Sequence, residues 1–381
     1  MFVERAYAAL NKTGEELCGD QVILADTPNS VIAVLSDGLG SGVKANILAT
    51  ITTKIISTML KGGATLEEVV DTLGRTLPMC QVRNLAYSTF TIVQTFYSGK
   101  VYVAEFDNPN TICVRDGQLF DIPRRSRSIG HLQVNEASWT AALGDTLVAM
   151  SDGVVHSGIG QALDFGWLPE KVGHYVSALS RRQASSEEIC QRVLQQAQTL
   201  QQGRARDDTS VMCLRLRKKN TLTAAVGPPK NPGDDSVVAR LLWEEPQKRV
   251  VCGGTTAQII GREWDKPVEI DMESMMKTLD EDVPPMAAMD SVELVTEGII
   301  TLSRTLSYLK AGEVPDKNNG AVRLAAELMQ ADEITFLVGG AINPAHQNPD
   351  LPLPLSLKQQ VIQELASLLK SWGKIVHIQY F

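Results

Sequence analysis

The sequence predicts an α+β protein: an antiparallel β-sandwich flanked by helices, followed by a smaller α/β domain. Three observations predict it. Short apolar runs in the first two hundred residues are joined by Gly turns, as in "YSGKVY" and "VRDGQLF", the mark of antiparallel hairpins. Amphipathic helical stretches interrupt these runs and need a sheet to bury their apolar faces. Beyond the segment "KKNTLTAAVGPPKNPGDDS" the grammar changes to strands running into Gly-Gly, alternating with helices.

In chain order, strands are expected at Val3–Leu10, Gln21–Ala25, Ser30–Leu35, Ser88–Tyr97, Lys100–Phe106, Asn110–Arg115, Gly117–Ile122, Thr146–Met150 and Thr209–Leu216. A helix over Lys44–Leu60 sets Leu48, Ile51, Ile55 and Met59 on one face with Ile47, Ile56 and Leu60 beside them, a stripe wide enough for burial against a sheet. Thr65 with Glu68, and Ser185 with Glu188, carry the capping-box spacing ahead of apolar runs. The boundaries expected are 1–217 for the first domain, 218–236 for a linker and 237–381 for the second domain. In that second domain "RVVCGGTTAQII" and "ITFLVGGAINPAH" read as strand–loop units, and "IVHIQYF" reads as a terminal strand.

At 381 residues the chain can bury two cores. No apolar run approaches the ~20 residues that span a bilayer, and Glu4 and Arg5 interrupt the stretch where a secretory signal would be apolar. A cytoplasmic protein without membrane attachment is expected. Six scattered cysteines with no C-x-x-C pair argue against disulfide and zinc frameworks. Residues 1–219 hold 22 Lys/Arg and 22 Asp/Glu, so the whole net charge of −8 lies in the remainder, which has 14 and 22. Neither part has the basic excess of a nucleic-acid binder.

Four acidic spots share one grammar, an Asp at a strand end beside a small residue: "CGD" (Asp20), "SDGLGSG" (Asp37), "MSDGV" (Asp152) and "RDDTS" (Asp207, Asp208). Strand ends gather at sheet edges, and convergent carboxylates are costly to bury without a cation. Apart from Arg206, which opens the last of them, no Lys or Arg is built into these motifs, so hard oxygen ligands for Mg²⁺ or Mn²⁺ are the reading. The glycine after Asp37 leaves a backbone carbonyl unobstructed.

Taken in order, "CGD", "SDGLGSGVKA", "AMSDGV" and "RDDTSVM" resemble the bacterial type-2C metal-dependent serine/threonine protein phosphatases of the sporulation stage II E-type branch. The resemblance covers about residues 1–217. It implies a two-metal centre (Mn²⁺ or Mg²⁺) in which Asp37 bridges both ions and Gly38 offers its carbonyl. Asp152 and Asp207 would bind one ion, Asp20 would contact the other, and Asp208 would orient its neighbours. Asp37 and Asp20 are thereby the catalytic candidates. The implied chemistry is direct hydrolysis by a metal-activated water, with a phosphorylated regulatory protein of the anti-sigma-antagonist type as substrate. Leu39 stands where many eukaryotic relatives have histidine, and His156 is weighed as a substitute proton donor against an ordinary surface role. The cluster Arg124, Arg125 and Arg127 reads as a solvated loop in preference to a docking patch.

The second domain carries no catalytic motif. Its candidate ligand loops are Gly253-Gly254-Thr255-Thr256 and Gly339-Gly340, placed to meet a small molecule or anion. The acidic stretch Glu263–Glu297, which includes Glu273, Asp280, Glu281 and Asp282, reads as solvated surface. An alternative function is a sensor module working through the second domain.

Overall fold

The computed structural model describes residues 1–77, 79–80, 85–86, 88–130, 132–244, 248–271, 283–341 and 357–381. Two compact units emerge, Met1–Lys218 and Lys219–Phe381. In the first unit the strands are β1 (Phe2–Leu10), β2 (Asp20–Asp26), β3 (Ser30–Asp37), β4 (Met79–Cys80), β5 (Leu85–Ala86), β6 (Phe90–Phe96), β7 (Lys100–Phe106), β8 (Ile112–Arg115), β9 (Gln118–Phe120), β10 (Arg125–Ile129), β11 (Leu132–Thr140), β12 (Thr146–Met150) and β13 (Thr209–Arg217). Its helices are α1 (Gly42–Lys61), α2 (Leu66–Thr76), α3 (Asp152–Val155), α4 (Pro169–Arg181) and α5 (Ser186–Leu200).

Two antiparallel sheets, ordered β1-β13-β12-β8-β9 and β10-β11-β7-β6-β3-β2, form the sandwich. The two-residue side-chain period divides each central strand between two cores. On β3, Val31, Ala33 and Leu35 meet Val3, Met212 and Leu214 of the facing sheet, whereas Ile32 and Val34 meet α1 and α2. On β13, Val211 and Cys213 turn to α4 and α5, while Met212, Leu214 and Leu216 fill the space between sheets. Such strands carry nearly continuous apolar sequence because both faces are covered. The α2 capping box forms in full: Thr65 N–H donates to Glu68 Oε2 at 2.8 Å and Glu68 N–H to Thr65 Oγ1 at 3.3 Å.

Three details depart from the sequence reading. Helix α1 buries Ala45, Leu48, Ala49, Thr52, Thr53 and Ile56, but Ile47 and Ile51 are exposed. Its close approach to the sheet uses small residues, and part of the apolar stripe is left over. The arginine cluster is no loose loop: Arg125–Ile129 is a strand, Arg124 pairs with the buried Glu105 at 2.9 Å, and Arg127 pairs with Glu67 and Glu136. The stretch expected as a linker contains a strand, Thr221–Val226. Its alternating small and apolar residues are buried on both faces, which flexible connectors never are.

That strand, β14, begins the second unit. With β15 (Lys248–Cys252), β16 (Val268–Ile270), β17 (Ala287–Met289), β18 (Val292–Thr296), β19 (Glu333–Val338) and β20 (Ile375–Tyr380) it forms one sheet ordered β16-β17-β18-β15-β14-β19-β20. The run from β18 to β20 is parallel. Helices α6 (Asp235–Glu244) and α7 (Gly254–Trp264) cover one face, through Val238, Leu242, Ala257 and Ile260. Helices α8 (Ile299–Ala311), α9 (Gly320–Gln330) and α10 (Leu357–Ser371) cover the other, around Phe336 and Ile334. Glu273, Asp280, Glu281 and Asp282 lie outside the described residues.

Candidate metal centre

Strand pairing brings the acidic residues of the first unit together. Asp20 opens β2 and Asp37 closes β3, and the antiparallel register sets them directly opposite each other. On the other sheet β12 and β13 pair with Met150 opposite Val211. Asp152, two residues past Met150, and the Asp207-Asp208 pair just before β13 therefore share an edge. Ser151 N–H donates to Ser210 O at 3.0 Å, and Ser210 N–H donates to Ser151 Oγ at 2.9 Å, locking the two segments together.

The electrostatics follow from this proximity. Asp20 is 2 % exposed, and neither carboxylate oxygen has a hydrogen-bond partner among the described residues. Burial pushes its pKa up to about 7, helped by the charges of Asp208 and Asp152 and opposed by the neighbouring Ser151 and Ser210 hydroxyls. Asp37 is pushed up to about 8, by burial first and then by Asp20, Asp152, Asp207 and Asp208. Asp152 is raised by burial and by Asp207, and its Oδ1 is buried without a partner. Five carboxylates from four chain segments thus act on one another, with His156 opposing the rise at Asp152.

Backbone geometry is equally constrained. A methyl at Gly38 would stand 2.0 Å from the Ala45 carbonyl oxygen, so only glycine lets this segment pack against α1. One at Gly153 would stand 2.1 Å from Asp208 O. The Asp37 backbone is held by Thr89: Asp37 N–H donates to Thr89 Oγ1 at 3.2 Å, and Thr89 N–H donates to Asp37 O at 2.9 Å. Thr89 in turn donates to Asn108 Oδ1 at 2.7 Å. Asp207 Oδ1 accepts from Asp208 N–H, and Asp208 Oδ1 accepts from Lys12 N–H, both at 3.0 Å.

The fit to a cation rests on three orphaned buried oxygens on Asp20 and Asp152 and on mutual repulsion that a positive charge would relieve. Among the described residues no three of His, Cys, Asp or Glu are gathered tightly enough to enclose an ion by themselves. The residues present suit a hydrated Mg²⁺ or Mn²⁺, which keeps several waters as ligands.

One neighbour, Asp107, adds to the sequence-derived set, and His156 takes its place beside it. Asp107 follows β7 with φ +53° and its charge raises Asp152. A looser grammar, acid after an apolar strand without the small neighbour, would have found it in "EFDNPN". His156 Nδ1 lies 3.5 Å from Asp152 Oδ2 with its ring largely exposed. The loops Gly253–Thr256 and Gly339-Gly340 lie in the second unit, after β15 and β19.

A helix-flanked sandwich with this acidic edge defines a type-2C, metal-dependent protein phosphatase domain. The chain belongs to the family of stage II sporulation protein E (SpoIIE), which it matches over residues 27–217. No curated protein matches it in sequence. Among solved structures it is similar to the PP2C phosphatase domain with a regulatory-domain fragment of SpoIIE from Bacillus subtilis, at 20% identity and a TM-score of 0.49 over 57% of this chain and 64% of that one. It therefore spans less than two thirds of that relative. The B. subtilis phosphatase domain in a crystal form without domain swapping gives 18% identity and a TM-score of 0.44, over 56% and 92% of the two chains. RsbX in complex with magnesium gives 16% and 0.41, over 56% and 95%.

Proposed function

We propose that residues 1–217 are a metal-dependent phosphatase of phosphoserine and phosphothreonine on a bacterial regulatory protein, of the kind that antagonises an anti-sigma factor. The observation that carries this is the cluster Asp20, Asp37, Asp152, Asp207 and Asp208, partly orphaned and mutually repelling at one sandwich edge.

Asp37 and the Gly38 carbonyl would hold a pair of Mn²⁺ or Mg²⁺ ions together with Asp20, Asp152 and Asp207. When bound, the two ions supply an acidified water and neutralise the phosphoryl oxygens. Asp208, fixed by Lys12 N–H, orients the Asp207 segment. Thr89, itself held by Asn108, fixes the backbone from which the Asp37 carboxylate projects. The thiol of Cys18, beside the site, is pushed up to about 12 by burial and by Asp20, far from a reactive thiolate. No helix of the described residues is long and apolar enough to cross a membrane.

Hydrolysis of para-nitrophenyl phosphate and of phosphoserine peptides tests this reading. Activity should require Mn²⁺ or Mg²⁺ and vanish in chelator. Activity that persists in chelator would refute it.

A further inference from the structure

In the second unit each of four parallel strands ends on glycine: Gly227 follows β14, Gly253 follows β15, Gly298 lies two residues past β18, and Gly339 follows β19. These glycines touch. A methyl on Gly253 would lie 3.9 Å from Gly227 N, one on Gly298 3.7 Å from Gly253 Cα, and one on Gly339 2.4 Å from Gly227 O. Gly227 and Gly253 have φ of +73° and +124°, conformations closed to most side chains. They form a floor without side chains at the point where strand order reverses, between β14 and β19. In doubly wound sheets that is where a crevice opens.

Three groups stand over this floor. Helix α7 starts at Gly254 with no side-chain cap and no acid in its first turn, and Gly254 and Thr255 are exposed. Its first amides therefore face outward unclaimed. Thr256, 1 % exposed, has an Oγ1 with no partner among the described residues, and that oxygen faces the N-cap: a methyl on Gly253 would lie 3.0 Å from it. Lys358, half-buried at the start of α10, reaches in from the opposite side, where its Nζ would lie 2.4 Å from a methyl on Gly227. It donates to Ala341 O at 3.2 Å, and no carboxylate among the described residues pairs with it. Burial alone pulls its pKa below the usual lysine range. Glu297, one residue past β18, is turned to α8, where it accepts Ile300 N–H at 3.2 Å. The start of α8 is thus occupied and that of α7 is open.

We propose that this edge binds a phosphate-bearing small molecule, its oxyanion gripped by the Gly254–Thr256 amides, the Thr256 hydroxyl and the Lys358 ammonium. A multiply charged oxyanion supplies the acceptor that Thr256 lacks and the counter-charge that Lys358 lacks.

Calorimetry on the full chain in EDTA, with inorganic pyrophosphate and ADP as probes, tests it. The chelator and an Asp37→Asn control separate this site from the acidic edge of the first unit. At least one probe should bind once per chain. Lys358→Met should weaken binding about tenfold, the worth of one charge-assisted hydrogen bond, and Thr256→Val should weaken it several-fold, with Thr256→Ser restoring it. Asp37→Asn should change nothing. Binding of neither probe, wild-type affinity in Lys358→Met, or loss of binding in Asp37→Asn would each overturn the proposal.

Discussion

In the first unit the strand ends carry carboxylates; in the second they carry glycine. Both sets of loops sit at sheet edges, where backbone groups run out of partners, yet the electrostatics are opposite. Asp20 and Asp37, set across from each other by the β2–β3 register, are raised far above the ordinary carboxylate value of 3.8 by burial and by one another. At that edge the carboxylates repel one another, a repulsion a cation would relieve. Gly227, Gly253 and Gly339 instead bare the backbone, beside an ammonium and an open helix start. The same architectural place becomes a cation site or an anion site according to which residues close the strands.

The comparison breaks most visibly at Asp37. Asp37→Asn should cut phosphatase activity more than ~100-fold, beyond the 10–100-fold typical of groups that merely support metal ligands, as read by initial rates with saturating Mn²⁺. The same substitution removes a buried charge, so the metal-free protein should melt at higher temperature at pH 8.

Next comes pH. For a carboxyl raised in the fold, both states are protonated below about pH 4 and the fold incurs no penalty. As pH rises toward about 8 the unfolded chain ionises first, folding takes up protons, and stability falls. The metal-free first unit should therefore lose on the order of a few kcal/mol between pH 5 and 8, seen as a falling melting temperature in EDTA. Saturating Mg²⁺ should abolish that slope. A flat profile in EDTA would show that the carboxylates do not repel as described.

Gly38→Ala should cost roughly 1–3 kcal/mol, because the new methyl must displace the α1 backbone at Ala45; denaturant titration measures it. Asp208→Asn retains an acceptor for Lys12 N–H, so a loss of about tenfold in kcat is expected. His156→Ala, at an exposed ring beside Asp152, should change kcat by less than about threefold.

Much of this was written in the sequence, for physical reasons that differ by region. Strands such as β3 and β13 announce themselves because both faces are buried, leaving nearly unbroken apolar runs. Asp20, Asp37, Asp152 and the Asp207-Asp208 pair stand out because acid beside a small residue recurs at strand ends. What stayed hidden depends on contacts made far away in sequence. Strand β10 is polar at every position but Ile129, and Arg124 and Arg127 pair with Glu105 and Glu67, neither of them a local neighbour. Thr221–Val226 lies beside Gly, Pro and Lys and so looks like a connector, although it is an interior strand of the second unit's sheet. Asp107 escaped because its neighbour is Asn in place of glycine. Lys358 and Thr256 cannot be linked by any local pattern, since a hundred residues and a sheet reversal bring them to one edge.

The most direct test is calorimetric titration of Mn²⁺ into the chelator-stripped full chain near pH 7, in buffers of different ionisation enthalpy. Asp20 and Asp37 are partly protonated at that pH, so two ions should bind with release of protons, and Asp37→Asn should abolish at least one site. Absence of binding, or binding untouched by Asp37→Asn, would contradict a metal centre at this edge.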